Sequence, residues 1–475
     1  MVNITEAYRL HAAKQPDKPA LIIEDTEISW REWHERVCRT ANFLDAQQAD
    51  RKVLAFLVPN GLPFLQLFAG AAMAGWTAVP FDEKWTDREI AERLQVAKPG
   101  LFVSNRGTQA LSVKKCLEQI SHMPAERPVA DLCGNLPFYM GFTSGTSGKP
   151  KAFIRSHESW VESFVVSAGD FHVTAKDDVL IPGALVHSHF LFGALSSLHL
   201  GGTVRLLEKF SAPSAARWID SGRISTVYAV PTMIEALAER EALGHKLKVI
   251  SSGAKWLDES KARMEKAELQ RYELYGASEL SFVTVMTEKD EAAKPGSVGR
   301  ACQGVEIEIR DSHGGQQASG EIGKIFVRSL MLFDGYLLES GELVHISDER
   351  GFITVDDMGY MDTDGYVYIV GREKNMILYG GLNIYPEEIE RVLADHPGIE
   401  EVAVVGLSDA HWGEIAVAVI KGSAARLDLQ RACRKELASF KIPRRWIYVQ
   451  DMPHTTSGKI ARAQLKAMVE SGELN

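Results

Sequence analysis

Phe142-Thr-Ser-Gly-Thr-Ser-Gly-Lys-Pro-Lys151 places four hydroxyl side chains, two glycines and two lysines in ten residues. Glycine lets a backbone approach a ligand closely, and hydroxyl, ammonium and turn N–H groups all donate hydrogen bonds, so the stretch suits phosphate oxygens. It is not a Walker A loop, which needs glycine where Thr143 stands and Ser or Thr where Pro150 follows Lys149. Nor does a GxGxxG run open a helix elsewhere in the chain.

Around this loop, from about Ile90 to Ile250, short β-rich runs alternate with stretches long enough for a crossover helix. The runs Asp178-Val-Leu-Ile, Gly202-Thr-Val-Arg-Leu-Leu, Ser225-Thr-Val-Tyr-Ala-Val and Lys248-Val-Ile-Ser each read as a buried strand. That alternation predicts a largely parallel, doubly wound sheet. Further upstream, Trp30, Trp33, Val37 and Ala41 share one helical face behind Ser29, an N-cap residue. Leu62 to Phe81 is apolar enough to imitate a membrane span, but its prolines, glycines and alanines point to a buried helix running into a strand. Near Pro295 glycines become dense and short alternating strands follow, the texture of a small antiparallel barrel or sheet. After Gly371 a smaller α+β unit begins, with Pro386 and two glutamates opening a helix that carries Ile389, Val392 and Leu393.

Composition bounds the function. The 475 residues carry 53 Lys plus Arg against 63 Asp plus Glu, a net charge of −10, with 45% hydrophobic residues. This is a globular chain able to bury a large core, and its acidity argues against a dedicated nucleic-acid binder. Lys421 to Asn475 nonetheless holds 11 basic and 5 acidic residues, +6 on a body of −16, a local preference for an anion such as phosphate. The five cysteines, Cys38, Cys116, Cys133, Cys302 and Cys433, form no CxxC pair, which fits a reducing compartment without a disulfide framework or a zinc site. The first twenty residues lack the apolar core of a secretory signal, so the expected location is cytoplasmic.

Read as one string, TSGTSGKPK resembles the phosphate loop of the adenylate-forming superfamily, which includes acyl-CoA synthetases, peptide-synthetase adenylation domains and luciferases. Further matches follow in that family's order. Ser252-Gly-Ala254 is similar to its adenine-side turn, Tyr275-Gly-Ala-Ser-Glu279 to its YGxTE motif, and Asp357 with Gly371-Arg372-Glu-Lys-Asn to its ribose aspartate and hinge. Gly380-Gly-Leu-Asn-Ile-Tyr-Pro386 and Thr456-Ser-Gly-Lys459 match its late motifs. Ser278 replaces the usual Thr, and Val355-Asp356-Asp357 replaces Thr-Gly-Asp.

The resemblance implies a large N-terminal domain, residues 1–373, of doubly wound α/β subdomains plus a small β-barrel at about 295–370, and a mobile α+β cap, residues 374–475. It implies that Thr143, Ser144, Gly145, Thr146, Ser147, Gly148, Lys149 and Lys151 cradle the phosphates of ATP. Ser252, Gly253, Ala254, Tyr275, Gly276, Ala277, Ser278 and Ile369 would line the nucleotide, Asp357 and Arg372 its ribose. Glu279, with Thr143, is the candidate Mg²⁺ site, since a hard ion prefers carboxylate oxygen. Lys459 is the catalytic lysine between substrate carboxylate and α-phosphate, and Gly380 and Gly381 let a pantetheine arm pass. His187 lines the acyl pocket by its spacing to the following aromatics, with His189 the alternative. The expected function is AMP-forming ligation of a fatty or other apolar acid to coenzyme A, the body of the pocket being the apolar segments at Val186–Gly193 and Val230–Ile234. The alternatives are a stand-alone enzyme loading a carrier protein and a non-catalytic nucleotide-binding module. Expected partners are the acid, ATP and CoA, with no nucleic acid and no membrane span.

Overall fold

The computed structural model describes residues 3–107, 110–127, 133–143, 151–240, 247–253, 269–455 and 459–474. They form two compact units, Met1–Glu306 with Val327–Ile353, and Ile307–Phe326 with Thr354–Asn475.

The first unit contains a nine-stranded and a seven-stranded sheet. In the larger, Thr203–Leu206, Asp178–Ile181, Thr226–Ala229, Lys248–Ser252 and Gln270–Ala277 are neighbours and all run parallel. These contain the four runs read from sequence as strands. Thr203–Leu206 and Thr226–Ala229 are buried at every position, as strands covered on both faces must be. An antiparallel strand, Ser281–Met286, extends the sheet beyond Gln270–Ala277. In the smaller sheet, Leu101–Ser104, Val53–Leu57, Thr77–Pro80 and Pro137–Thr143 are parallel neighbours in that order. Lys151–Ser156 and then Gly335–Leu337 add to Pro137–Thr143 antiparallel.

Local chemistry sets the helices. Ser29 closes a full capping box with Glu32 at the start of Trp30–Asp45, and Trp30, Trp33, Val37 and Ala41 are all buried. Leu62–Met73 is a buried helix leading into the strand Thr77–Pro80, as the alanines and prolines of that stretch predicted. Among the described residues no helix is long and apolar enough to cross a membrane. The two helices meet at Gly70, where an added Cβ would lie 2.3 Å from Thr40 Cγ2.

The second unit contains a four-stranded sheet, ordered Glu306–Arg310, Gly323–Arg328, Asp357–Met361 and Val367–Arg372, where the glycine-rich texture predicted a small barrel or sheet. Its other sheet pairs Leu382–Ile384, Ile377–Tyr379, Gly413–Gly422 and Ile399–Asp409, with Arg445–Tyr448 parallel to Gly413–Gly422. Alternation along these strands builds two cores. Val404, Ala416, Ala418 and Ile420 pack with Ile389, Leu393, Leu429 and Cys433, whereas Ala403, Val405, Val417 and Val419 pack with Leu465 and Val469. The sheet is therefore covered by helices on both faces. Compactness divides the chain near Ile307 and Thr354, whereas motif order divides it at Lys374.

Close packing at Gly70 carries a measurable consequence. Gly70→Ala should lower the thermal midpoint of unfolding, since forcing a methyl into a filled helix contact costs about 1–3 kcal/mol. An unchanged midpoint in differential scanning calorimetry would show that the helices separate freely.

Candidate active site

In the first unit, Pro137–Thr143 leads into the phosphate-suited loop and Lys151–Ser156 returns from it, with Thr143 paired to Lys151 across the ladder. The loop thus starts and ends at one point of the smaller sheet. Ser144, Gly145, Thr146, Ser147, Gly148 and Lys149 lie outside the described residues, as does Ala254. Lys151 Nζ lies 5.0 Å from the centroid of the Tyr336 ring, over its face. The Tyr336 hydroxyl donates to Glu279 Oε1 at 2.8 Å, and the Phe333 N–H donates to the Glu279 carbonyl at 2.9 Å. Glu279 is therefore buried and oriented, next in a chain of contacts that begins at the loop's base.

Glu279 sits in the turn between Gln270–Ala277 and Ser281–Met286. A Cβ at Gly276 would come within 1.9 Å of the Ser281 carbonyl oxygen, so the motif glycine is required by close backbone approach. Ser281 itself takes φ +58°, a left-handed conformation unusual for a serine. Tyr275, paired with Thr284, is half-buried near the strand's end.

Beneath this turn lies Arg155, which the sequence analysis did not single out. Its guanidinium is buried and donates to the Ser278 carbonyl at 2.9 Å, to Ser281 Oγ at 2.7 Å, to the Met331 carbonyl at 2.7 Å and to Ser159 Oγ at 3.2 Å. Burial pulls its pKa down to about 10, against the nearby acids Asp334 and Glu279. The one available signal was a charge inside an apolar strand, Ala152-Phe-Ile-Arg155, and a buried charge demands partners.

The parallel strands Thr226–Ala229, Lys248–Ser252 and Gln270–Ala277 end side by side, and crevices at such ends are where open α/β sheets bind ligands. Ser252 ends the middle strand, and Gly253 follows at φ +97° with no atom of the described residues within 4 Å of an added Cβ. His189 Nε2 is 3.2 Å from the Ala229 carbonyl oxygen, and burial pushes the ring's pKa down to about 4, so it is neutral near pH 7 and donates there. His187 stands one step earlier, at the N-cap of Ser188–Leu200 without a side-chain cap bond. Burial lowers its pKa too, partly opposed by Asp82.

The second unit holds the remaining candidates. Asp357 and Arg372 face each other across two antiparallel strands, and Arg372 Nε donates to Asp357 Oδ1 at 2.9 Å. Asp357 is buried while Arg372 is exposed. Asp356 takes a left-handed φ of +65°, and it pairs with Lys324 at 3.4 Å. Its side chain is thereby engaged apart from Asp357. Lys459 falls in the field of both Arg372 and Asp357; burial first, and Arg372 second, lower its pKa, with Asp357 opposing. Two bonds brace its loop, Thr455 N–H to the Lys459 carbonyl at 2.7 Å and Lys459 N–H to Thr455 Oγ1 at 3.3 Å. Ile369 pairs with Gly359 on the strand that ends at Arg372. Gly380 and Gly381 are exposed at φ +55° and +83°, and an added Cβ at Gly380 would lie 3.1 Å from the Trp412 ring.

Comparison with known proteins agrees with this arrangement. Residues 8–337 match the model of the AMP-binding enzymes, and residues 388–459 that of the AMP-binding enzyme C-terminal domain. An uncharacterized acyl–CoA ligase of Bacillus subtilis (strain 168), YhfT, is 47% identical, with 99% of each chain covered. The long-chain-fatty-acid–CoA ligase FadD13 of Mycobacterium tuberculosis (strain H37Rv) is 27% identical over 98% of each chain. Among solved structures, o-succinylbenzoate CoA synthetase (MenE) from Bacillus subtilis in complex with its acyl-adenylate intermediate superposes with a TM-score of 0.89, at 25% identity and 98% coverage of each chain. The same enzyme in complex with ATP and magnesium gives a TM-score of 0.87 at 26% identity, covering 97% of this chain and 99% of that one. The chain belongs to the AMP-binding enzymes of the adenylate-forming superfamily, in its acyl-CoA synthetase branch.

Proposed function

We propose that this chain joins a carboxylic acid with a compact apolar body to coenzyme A, using ATP and passing through an acyl-adenylate. A carboxylate oxygen attacks the α-phosphorus, the bond from that phosphorus to the β-bridging oxygen breaks, and pyrophosphate leaves. The CoA sulfur then attacks the acyl carbon, and AMP departs with the electron pair of the C–O bond. Splitting the ligation this way replaces a poor leaving group by AMP. The observation that carries the reading is the set at Asp357: an acceptor suited to ribose hydroxyls, a guanidinium, and the Lys459 ammonium in one field. A cation there offsets the charge that accumulates when two anions are brought together. CoA is favoured over a carrier protein as acceptor because YhfT, FadD13 and MenE are all named CoA ligases or synthetases.

Magnesium fits the residues present: Glu279 offers carboxylate oxygen, held by Tyr336, beside the base of the phosphate-suited loop. Bound there, Mg²⁺ would neutralise charge on the leaving pyrophosphate. His187 and His189 are both kept neutral by burial, which suits pocket lining; the substrate carboxylate is already ionised and needs no base.

The acid is read from the wall behind His189. The Phe192 ring packs 4.7 Å from Phe282 and 5.5 Å from Trp160, edge-on to both, and Tyr228 and Phe164 close the cluster. Phe190 covers Gly183 so closely that a Cβ there would lie 2.2 Å from its ring. A wall this dense favours an aryl or short branched acid over the fatty acid that the apolar composition alone also allowed. The name of MenE, which acts through a succinylbenzoyl-adenylate, points the same way, while that of FadD13 favours a long chain. A thioester-formation screen decides: aryl and short branched acids should exceed dodecanoate and longer acids in kcat/KM by about tenfold or more, a difference of about 1.4 kcal/mol. A preference for long chains would refute the compact pocket.

Lys459→Ala should reduce ATP–pyrophosphate exchange by orders of magnitude while acyl-AMP plus CoA still yields thioester. Equal damage to both half-reactions would remove Lys459 from adenylation. Because its pKa is lowered, exchange should fall on the alkaline side at a pH below the ordinary lysine value of about 10.4 as the ammonium loses its proton. In Lys459→Arg, whatever activity survives should lose that alkaline limb.

The same reading makes residues 374–475 a cap that pivots at Lys374, bringing Lys459 to the site for adenylation and the Gly380–Gly381 turn for thioester formation. Lys374 lies in the short 3₁₀ turn Glu373–Asn375 directly after Arg372. Proline there fixes φ near −65°. Lys374→Pro should leave acyl-AMP formation from ATP largely intact and slow its conversion to thioester severely; wild-type rates in both steps would place the pivot elsewhere.

A further inference from the structure

A buried guanidinium is costly unless its donors are matched, and at Arg155, which is 2% exposed, the matching partners converge on one neighbourhood. Ser278 and Ser281, which accept from Nη1 and Nη2, flank Glu279 in the chain. Met331, the second acceptor of Nη2, lies just before Phe333, whose N–H holds the Glu279 carbonyl, and Tyr336, whose hydroxyl holds the Glu279 carboxylate. Arg155 itself is on the strand Lys151–Ser156 that returns from the phosphate-suited loop. One side chain therefore ties the loop's return strand to both segments that fix Glu279.

We infer that Arg155 is a positioning residue for Glu279, setting the distance between the strand Lys151–Ser156 and the carboxylate on the magnesium side. The inference rests on the reading of Glu279 as that carboxylate. The planar fork is needed because its acceptors, two carbonyl oxygens and two hydroxyls, lie in different directions; an ammonium is a compact point charge on a flexible stem and cannot reproduce that geometry. Ser281 gives independent support. Its left-handed φ of +58° costs free energy in a serine, and its hydroxyl in that conformation meets the Arg155 fork at 2.7 Å. The strain is held where the fork can use it.

The test measures ATP–pyrophosphate exchange by the full chain against Mg²⁺ concentration in Arg155→Lys, Ser281→Ala and Glu279→Gln, with thermal unfolding recorded for each. Arg155→Lys should raise the Mg²⁺ concentration for half-maximal rate by about tenfold and lower kcat, leaving KM for the acid within about twofold. Ser281→Ala, which removes one acceptor and keeps the backbone, should shift the Mg²⁺ dependence in the same direction by about two- to fivefold with an unchanged unfolding midpoint. If Arg155→Lys fails to fold, Ser281→Ala decides alone. Should Glu279→Gln leave the Mg²⁺ dependence untouched, the underlying reading of Glu279 fails. Should Glu279→Gln shift it while Ser281→Ala and a folded Arg155→Lys match wild type, Arg155 is a fold clamp only and the inference is overturned.

Discussion

The first unit contains two sheets, and a buried guanidinium is bonded to both. Arg155 projects from Lys151–Ser156 in the seven-stranded sheet to Ser278 and to Ser281, where the strand Ser281–Met286 of the nine-stranded one begins. Apolar packing between sheets is non-directional and tolerates small slips, whereas a charged fork with matched acceptors does not. Removing the guanidinium would leave the Ser278 and Met331 carbonyls without this donor, at about 1–3 kcal/mol for each one left unsatisfied. The relation between the strand Lys151–Ser156 and the Tyr275–Glu279 turn is thus set by a directional contact.

Electrostatics in the second unit follow a different pattern. The basic excess of Lys421–Asn475 suggested an anion, yet much of it is neutralised internally. Arg462 pairs with Glu390 in a bidentate contact and Lys441 with Glu388, both acids on the helix Pro386–Ala394, while Lys421 meets Glu401 at 3.7 Å and Asp451 at 3.5 Å. Lys459 differs. Its charged surroundings are Arg372, which disfavours its proton, and Asp357, which favours it. A lysine held beside a guanidinium is poised to gain from an arriving phosphate, so what distinguishes it from the rest of the basic segment is the neighbouring charge.

Much of this was legible in the chain. Period-2 runs and crossover lengths located the parallel strands, the Ser29 capping signal located a helix start, and Pro386 with two glutamates located another, because each depends on a few adjacent residues. The motif string from Thr143 to Lys459 points to the candidate site because its chemistry requires particular residue types. Less legible was the return of Gly335–Leu337 to the seven-stranded sheet, since no local pattern tells a strand which partner it will meet across some 180 positions. Arg155 was passed over for a related reason: a charge in an apolar strand signals a partner without naming it. Spacing alone allows either histidine; the structure places His189 on the Ala229 carbonyl and His187 at a helix start.

By itself, then, the sequence determined the kind of chemistry: hydroxyls and lysines for phosphate, a carboxylate for a hard cation, a second carboxylate and a guanidinium beside a late lysine. Residue type carries that information because donor, acceptor and charge are properties of single side chains. Only the tertiary structure decided which of those groups act on one another. It set Asp357 rather than Asp356 against Arg372, because Asp356 turns into the left-handed region toward Lys324. It filled the space behind His189 with aromatic rings, because strands and a helix far apart in sequence close there on the same volume. Distances between groups are sums over the whole fold, and no segment of sequence contains them.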